Sequence, residues 1–464
     1  MAVTLQSMTH WCRQLLGGGD ESLTLEQYLA AIPRLENLAD LPSGTPILIR
    51  GDVDAKPGAN VGEGDVRLRS MLATLQYGCQ KGWKMIIFGH IGRKPEGTLE
   101  KVALRLGELL RCPTPLIKDW LDESTLSVTE SAAQAVSSAE PGSVIMLENT
   151  RRFGVERLLW KASAEDVDRV APQLERFANQ LAEKIAKVYV NEALAAGSMD
   201  SSSTVVPAAM ERVALGKYIA SEFDGPMLRC RDAQMVVFSG LKADKLDDLE
   251  AMIERGKIHI VFAAGSLAMA LKKASAHLDG KVFDMGVAEH EDHQGKPYFI
   301  PKDRIDQAIK MVSEGRQKGI EFVLPIDFVL QDGQISELIG PTDQQFDIGT
   351  KTSELFEQKV GEFIKTSQSA GRSGVVFHNG VFGMFEDPRF EEGTKRFVGQ
   401  LKRMKDEGLE VYVGGGEGGA ALEKYGKLDW VTHCFTAGGT VLNALSGEPI
   451  PYLVALRMAA MSHR

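Results

Sequence analysis

Residues 411 to 422 read Val411-Tyr412-Val413-Gly414-Gly415-Gly416-Glu417-Gly418-Gly419-Ala420-Ala421-Leu422. The order predicts a buried strand, then a glycine turn that contains one carboxylate, then the first turn of a helix. Glycines let the backbone approach a ligand closely, and the free N–H groups at a helix start attract phosphate. The carboxylate in the turn suggests a bridging magnesium ion. Similar turns serve packing in many α/β proteins, so this stretch alone leaves phosphate binding and plain packing both open.

The composition indicates a two-domain protein of the cell interior. The chain has 464 residues, of which 44% are hydrophobic, and a single core of this size would be unusual. Its formal net charge of -10 argues against a surface for nucleic acid or an anionic membrane. The five cysteines are scattered without a C-x-x-C pair, which predicts a reducing, cytoplasmic compartment. Signal-peptide and membrane-spanning patterns are both missing from the sequence.

One pattern repeats from Thr45 onward, namely a short apolar run rich in Val and Ile, a turn, and a helical segment. Runs that are apolar on both faces and alternate with helices indicate parallel sheet covered on both sides. We therefore predict an α/β protein with two doubly wound, Rossmann-like domains joined by a hinge. The predicted strands are 46–53, 85–90, 144–149, 188–193, 235–240, 258–265, 322–330, 375–380, 411–416 and 431–439.

Ligands of such sheets bind outside the carboxyl ends of the strands, and both halves place their polar residues there. The first half gathers positive groups, which suggest a small anionic substrate because guanidinium groups hold phosphate and carboxylate bidentately. For any single arginine, a solvated helix end is the better interpretation. The second half gathers glycines, a lysine pair and acidic residues, which suit a nucleotide with its metal. No Gly-x-x-x-x-Gly-Lys-Ser/Thr loop is present, so the site is not a P-loop.

These segments resemble, in order along the chain, the motifs of the phosphoglycerate kinases. In the first half the similar segments are 50–57 (R-x-D-x-N-x-P), 67–69 (R-I-R), 89–93 (S-H-L-G-R), 147–153 (L-E-N-L-R-F) and 188–193 (V-Y-V-N-D-A). In the second half they are 324–327 (L-P-x-D), 347–349 (D-I-G), 379–386 (N-G-P-x-G-x-F-E), 414–416 (the start of G-G-G-D-T) and 432–439 (S-H-V-S-T-G-G-G). Collinear matches over nearly the whole chain are far more specific than any one motif.

The resemblance implies reversible phosphoryl transfer between ATP and the carboxylate of 3-phosphoglycerate, with Mg²⁺ as cofactor. It implies a catalytic set of Arg67, Lys242, Gly415, Gly438 and Gly439. It assigns the acid to Asp52, Asp54, Arg67, His90, Arg93 and one of Arg151 or Arg152. It assigns the nucleotide to Gly240, Lys242, Lys245, Gly265, Asn379, Gly380, Val381, Glu386, Gly414, Gly415, Gly416, Glu417 and Gly418. Glu417 is the expected magnesium ligand.

The same resemblance suggests domain boundaries and partners. We expect a helical N-terminal extension at 1–40, an acid-binding domain at 41–214, a hinge helix at 215–229, a nucleotide-binding domain at 230–444, and a tail at 445–464 that returns to the first domain. The expected partners are ATP, ADP and the acid, with no nucleic acid and no membrane. We expect a monomer.

Several departures mark this chain as a divergent member. Met199 stands where the family motif has an arginine, and the two histidines beside that arginine are also replaced. Glu417 replaces an aspartate, Asp54 an asparagine, and the segment around Lys242 is one residue shorter. An extra residue in the segment 149–153 makes Arg151 and Arg152 neighbours. Three functions therefore stay open: a 3-phosphoglycerate kinase, a kinase for another small acid, and a nucleotide-binding regulatory module without turnover.

Overall fold

The computed structural model describes residues 2–20, 23–57, 65–240, 245–371, 373–447 and 449–462. The chain forms two compact units. Unit 1 contains Met1–Asp224 and Gly447–Arg464, and unit 2 contains Gly225–Ser446. Each unit is built around one sheet of parallel strands with helices between them. The predicted α/β class with two parallel sheets is confirmed.

The strands of unit 1 are β1 Pro46–Gly51, β2 Lys84–Phe88, β3 Leu116–Ile117, β4 Leu121–Asp122, β5 Ser127–Val128, β6 Val144–Leu147, β7 Val188–Glu192 and β8 Arg212–Leu215. Those of unit 2 are β9 Met235–Gly240, β10 Ile260–Ala264, β11 Glu321–Val323, β12 Phe328–Leu330, β13 Ile335–Ser336, β14 Gln345–Ile348, β15 Val375–Asn379, β16 Glu410–Val413 and β17 His433–Cys434.

The helices of unit 1 are α1 Leu5–Leu16, α2 Leu25–Ala31, α3 Val66–Ser70, α4 Leu72–Gln80, α5 Glu100–Leu110, α6 Glu130–Ser138, α7 Val167–Lys184, α8 Ser201–Thr204 and α9 Lys217–Glu222, and a π-helical turn follows at Phe223–Met227. Those of unit 2 are α10 Leu228–Cys230, α11 Lys245–Glu254, α12 Gly265–Leu278, α13 Lys302–Gln317, α14 Thr350–Ser369, α15 Glu392–Asp406, α16 Glu417–Tyr425 and α17 Gly439–Ser446. The helix α18, Pro451–Ser462, belongs to unit 1.

The sheet of unit 1 has the strand order β3-β6-β2-β1-β7-β8, and each neighbouring pair is parallel. Arg50 at the end of β1 lies in register with Phe88 on β2 and Asn191 on β7. The interior of β1 is buried on both faces, as a central strand between two helical layers requires. The carboxyl ends of β1, β2 and β7 therefore meet at the same end of the sheet.

The sheet of unit 2 has the order β11-β10-β9-β15-β16-β17, and it too pairs in parallel throughout the described residues. His378 on β15 lies in register with Val413 on β16 and Val237 on β9. An aromatic cluster fills the layer beneath, where the rings of Phe262 and Phe356 pack edge to face with centroids 5.1 Å apart. This core fixes where β9, β15 and β16 end.

Two strand predictions were wrong in extent. The predicted strand 322–330 is divided between β11 and β12, which belong to different sheets. Pro325 lies between them, and the carboxylate of Asp327 accepts the N–H groups of Lys351 and Thr352 at the start of α14. The predicted strand 431–439 is reduced to β17. Each of the other predicted runs coincides with an observed strand to within three residues at either end, whereas β3, β4, β5, β8, β13 and β14 were not predicted.

The terminal segments pack on unit 1. The indole N–H of Trp11 on α1 donates to the carbonyl of Thr204 at 2.9 Å, and α1 packs against α7. The helix α18 packs against α2, α8 and β8. Among the described residues, none of the helices combines the length and the apolar character that crossing a membrane requires.

A buried carboxylate organises the end of unit 1 from which the chain leaves for unit 2. Glu192, at the carboxyl end of β7, accepts the hydroxyl of Thr74 at 2.5 Å and the N–H of Tyr218 at 3.1 Å. It thereby holds the first turn of α9, which leads to the unit boundary after Asp224. A Cβ on Gly216 would lie 1.9 Å from a Glu192 oxygen, so this approach requires glycine. Burial raises the pKa of Glu192 to about 7, against the lowering effect of the Thr74 hydrogen bond.

We predict that Glu192 makes the free energy of unfolding fall as the pH rises toward 7. The unfolded carboxyl ionises near its ordinary pKa of 4.5, whereas the folded one stays protonated to about 7. The contribution of Glu192 to the free energy of unfolding is complete below the pKa of the unfolded state. It is lost as the pH rises through the pKa of the folded state, at up to about 1.4 kcal/mol per pH unit. Urea unfolding of the wild type and of Glu192→Gln, from about pH 5 to about pH 8, measures the difference in slope. The exposed Glu183→Gln is the control, and parallel slopes for wild type and Glu192→Gln would contradict the assignment.

Candidate functional site

The carboxyl end of the unit 2 sheet carries a half-buried lysine beside Gly240. The ammonium group of Lys245 donates to the carbonyl of Ser239 at 2.7 Å and to Oδ1 of Asn379 at 2.8 Å. Burial lowers its pKa, while the carboxylates of Glu417 and Asp248 act in the opposite direction. Because its β9 and β15 partners are both neutral oxygens, Lys245 brings net positive charge to this end of the sheet.

The glycine turn after β16 lies directly against the backbone that follows β17. A Cβ on Gly415 would lie 2.3 Å from the carbonyl oxygen of Phe435 and 2.6 Å from the nitrogen of Ala437. Gly416 has φ of +68°, a conformation that favours glycine. The turn is tied to β15 by the N–H of Gly414, which donates to the carbonyl of His378 at 2.8 Å. The glycines are therefore required by close backbone packing, and this packing also leaves the turn without side chains that could block a ligand.

Three helices begin at this end of the sheet. The helix α12 begins at Gly265, α16 at Glu417 and α17 at Gly439. Gly265 pairs with Gly240 in an isolated parallel bridge, which places the start of α12 beside the end of β9. The unpaired N–H groups and the dipoles of helix starts favour a bound anion. Glu417 is exposed, so its carboxylate is open to a ligand or a cation.

The remaining predicted nucleotide residues differ in their settings. Gly380 (φ +100°) and Gly418, in the first turn of α16, are buried beside the turn. Val381 belongs to the hydrophobic core of unit 2, so its side chain serves packing. Glu386 is exposed in the loop after β15. A Cβ added to Gly438 would lie 3.4 Å from the carbonyl oxygen of Gly415. Lys242 falls outside the described residues.

The carboxyl end of the unit 1 sheet carries a buried ionic group that we call the Asp200 cluster, formed by Arg50, His90, Arg151 and Asp200. Oδ2 of Asp200 lies 3.2 Å from Nδ1 of His90, 3.4 Å from Nη2 of Arg151 and 3.6 Å from Nη2 of Arg50. Oδ1 accepts the indole N–H of Trp160 at 2.7 Å. All four members are less than 10% exposed, and Asp200 is fully buried.

A second carboxylate lies next to this cluster. Glu156 accepts the N–H and the hydroxyl of Ser202 at 2.8 and 2.6 Å, and Ser202 in turn accepts Nε of Arg50 at 2.9 Å. Burial and the charge of Asp200 raise the pKa of Glu156 to about 7. Burial also raises the pKa of Asp200, but the hydrogen bond with His90 and the guanidinium charges outweigh it, so its pKa lies well below the ordinary value.

The other predicted acid-binding residues differ in burial: Asp52 is buried, whereas Asp54 and Arg67 are partly exposed. Nη1 of Arg67 lies 3.6 Å from Asp52 and 3.4 Å from Asp54. Arg152 is partly exposed and lies 3.7 Å from Glu148, whereas the side chain of Arg93 is exposed. The two neighbouring arginines thus have different carboxylate partners, Asp200 for Arg151 and Glu148 for Arg152.

Sequence reasoning missed Asp200, Glu156, Trp160 and the role of Arg50. The available signal was a carboxylate directly after Met199, in the segment that departs most from the family motif. His90, Glu156 and Asp200 bring potential ligand atoms within 4.8 Å of one another, the geometry of a metal site. Two guanidinium groups contact the same Asp200 carboxylate, and their charge disfavours a cation there.

We predict that Gly415→Ala destabilises the protein by about 1–3 kcal/mol, because its Cβ would meet backbone atoms that cannot rotate away. The matched control is Gly399→Ala on the exposed side of α15, where an added Cβ meets nothing within 4 Å. That control should stabilise α15 by about 0.5–1 kcal/mol. Urea unfolding measures both changes, and equal effects of the two substitutions would show that the turn is not closely packed.

Comparison with known proteins is consistent across sequence and structure. The phosphoglycerate kinase family profile matches residues 38–448. The phosphoglycerate kinase of Clostridium tetani is 28% identical over 435 residues, which cover 89% of this chain and 95% of that protein. In structure, the chain is similar to the phosphoglycerate kinase from Pyrococcus horikoshii, with a TM-score of 0.72 and 23% identity over 93% of this chain and 100% of that one. It is also similar to the phosphoglycerate kinase from Coxiella burnetii, with a TM-score of 0.64 and 22% identity over 91% of this chain and 99% of that one. With most of its length matched by the family profile, this chain belongs to the phosphoglycerate kinase family.

Proposed function

We propose that this protein transfers a phosphoryl group reversibly between ATP and the carboxylate of a small acid, for which family membership suggests 3-phosphoglycerate. The observation that carries the proposal is the half-buried Lys245, bonded to Ser239 and Asn379 at the end of the sheet where α12, α16 and α17 begin. A half-buried ammonium group and helix N-termini together suit the phosphates of a nucleotide. Unit 2 is therefore the proposed nucleotide-binding unit, and unit 1 the acid-binding unit.

The proposed chemistry needs no general base, because a carboxylic acid is already ionised near neutral pH. An oxygen of the acid's carboxylate bonds to the γ-phosphorus of ATP, the bond from that phosphorus to the β-phosphate oxygen breaks, and ADP leaves. Positioning and charge neutralisation are the tasks left to the protein. We assign Arg67 and Lys242 to the transferring group, the backbone of Gly415, Gly438 and Gly439 to the charge that develops, and Lys245 to the nucleotide phosphates.

The residues around the glycine turn fit a magnesium ion in one respect. Glu417 offers an exposed carboxylate oxygen at the start of α16, and Mg²⁺ prefers oxygen ligands and completes its octahedron with phosphate oxygens and water. When bound with the nucleotide, the ion would neutralise phosphate charge. Glu417 would hold it, and Lys245 would hold phosphate oxygens.

A second candidate is a kinase for a different acid. The observation that favours it is the Asp200 cluster, because two of the groups expected at an anion site, Arg151 and His90, already face a carboxylate of the chain itself, together with Arg50. A nucleotide-binding module without turnover is the third outcome. We also propose a monomer in the cytoplasm; the five free cysteines favour the reducing compartment.

We predict ATP- and Mg²⁺-dependent acyl phosphate formation by the purified protein, measured in a coupled assay beside calorimetric ATP binding. Lys242→Ala should lower turnover by about two decades or more while ATP affinity changes much less, because a cation facing the transferring phosphoryl group acts mainly in the transition state. The exposed Lys310→Ala, on α13, is the control. ATP binding without turnover on any acid tested would select the regulatory module and refute the enzyme.

We predict that Glu417→Ala weakens the magnesium dependence of nucleotide binding. Removal of one charged oxygen ligand should raise the dissociation constant of Mg²⁺–ATP by roughly one to two decades and leave metal-free ATP binding little changed. Calorimetry with and without Mg²⁺ makes the comparison, and Glu423→Ala on the same helix is the control. The assignment fails if the ratio of the two affinities in Glu417→Ala equals that of the wild type.

A further inference from the structure

The Asp200 cluster has the composition of an anion-binding site whose anion is supplied by the chain itself. We propose that Asp200 is the internal anion of this site, and that it makes unit 1 selective for small acids with a carboxylate alone and against dianionic phosphorylated acids. The inference rests on the proposed function, in which a small acid is the substrate of unit 1, and it specifies the chemical class of that acid.

Most of the donors that face Asp200 already have partners within the chain: Nη2 of Arg50 also lies 2.7 Å from Nδ1 of His90, whereas the buried Nε of Arg151 has no hydrogen-bond partner. One carboxylate oxygen faces Arg50, His90 and Arg151 at 3.2 to 3.6 Å, and the other accepts the Trp160 indole N–H. A bound phosphate would accept hydrogen bonds from the same donors, because guanidinium groups pair with phosphate as they do with carboxylate. An external anion at this place would therefore compete with a side chain that is covalently tethered there.

The cluster is also closed to solvent on its outer side. The guanidinium of Arg151 lies 4.8 Å from the centroid of the Trp160 ring, and Nη1 of Arg151 donates to the carbonyl of Gly92 at 2.7 Å. Trp160 itself is partly exposed, so its ring forms the outer cover of the buried charges. The backbone of Asp200 is further fixed at the start of α8, where its carbonyl accepts the N–H groups of Ser203 and Thr204 at 3.0 Å. Admission of a phosphate would require both Trp160 and Asp200 to leave their present places.

Charge balance leads to the same selectivity. Arg50 and Arg151 bring two positive charges, Asp200 removes one, and burial lowers the pKa of His90, so the histidine adds little near neutral pH. A dianion beside Asp200 would place excess negative charge in a buried volume, where ions are stable only when balanced.

The cations nearer the solvent suit a single negative charge. Arg67 is already shared between Asp52 and Asp54, and Arg93 is exposed at the same end of the sheet. A lone carboxylate needs no more than one such guanidinium group for bidentate pairing. The part of the site open to ligands therefore matches an acid without a phosphate ester.

The test measures binding of inorganic phosphate, 3-phosphoglycerate and glycerate by calorimetry, with no nucleotide present. We expect the wild type to bind inorganic phosphate and 3-phosphoglycerate with dissociation constants above about 1 mM, and Asp200→Ala to bind both about tenfold more tightly or better. Glycerate affinity should change by less than about threefold, because glycerate does not need the buried cations. Asp168→Ala, which removes an exposed carboxylate paired with Arg13, is the control and should change none of these values.

A melting experiment covers the case in which Asp200→Ala folds poorly. The variant removes the carboxylate that directly faces two buried guanidinium groups, so phosphate should raise its melting temperature far more than that of the wild type or of the isosteric Asp200→Asn. The proposal is overturned if the wild type binds 3-phosphoglycerate in the micromolar range, if Asp200→Ala gains no phosphate affinity, or if phosphate fails to restore its folding. Because no nucleotide is used, loss of phosphoryl transfer would refute the proposed function without touching this result.

Discussion

Parallel pairing is the constraint on which the rest of this structure depends. In both large sheets the strands run the same way, so their carboxyl ends, and the turns that follow, collect at one end of each sheet. Parallel strands also need a crossover segment between them, and those crossovers become the helices that cover both faces. The glycine turn after β16, Asn379 at the end of β15 and Lys245 after β9 are far apart in the chain, yet they lie together because three neighbouring strands end there.

A second constraint is that buried charge must be balanced, and the two units meet it differently. In unit 2, the ammonium of Lys245 is held by two neutral oxygens, and Glu417 at the surface is the nearest source of negative charge among its electrostatic partners. In unit 1, the guanidinium groups of Arg50 and Arg151 are balanced by Asp200. Unit 2 thus retains positive charge that an incoming ligand could balance, whereas unit 1 has largely balanced its own.

Much of the fold could be predicted from the sequence because it depends on local patterns. The strand β9 was predicted at both ends, since its apolar run is bounded by polar residues on one side and glycine on the other. The run 322–330 failed because apolar character alone cannot show that Pro325 and the capping carboxylate of Asp327 divide it. The Asp200 cluster was out of reach for another reason. Its members come from four separate segments, and motif matching evaluates each residue at its own position without the partner that the fold brings to it.

The contrast between the two units follows from what each site is made of. The unit 2 site consists largely of backbone, namely N–H groups at helix starts and glycine turns, and its geometry is set by strand pairing and by contacts such as Gly415 against Phe435. A site of that kind keeps its chemistry when surrounding side chains change. The unit 1 site consists of side chains, and one added carboxylate at position 200 can neutralise it while the backbone stays as it was. The fold therefore supports the proposed nucleotide site in unit 2 better than it supports the proposed acid in unit 1, where the charges of individual side chains decide what can bind.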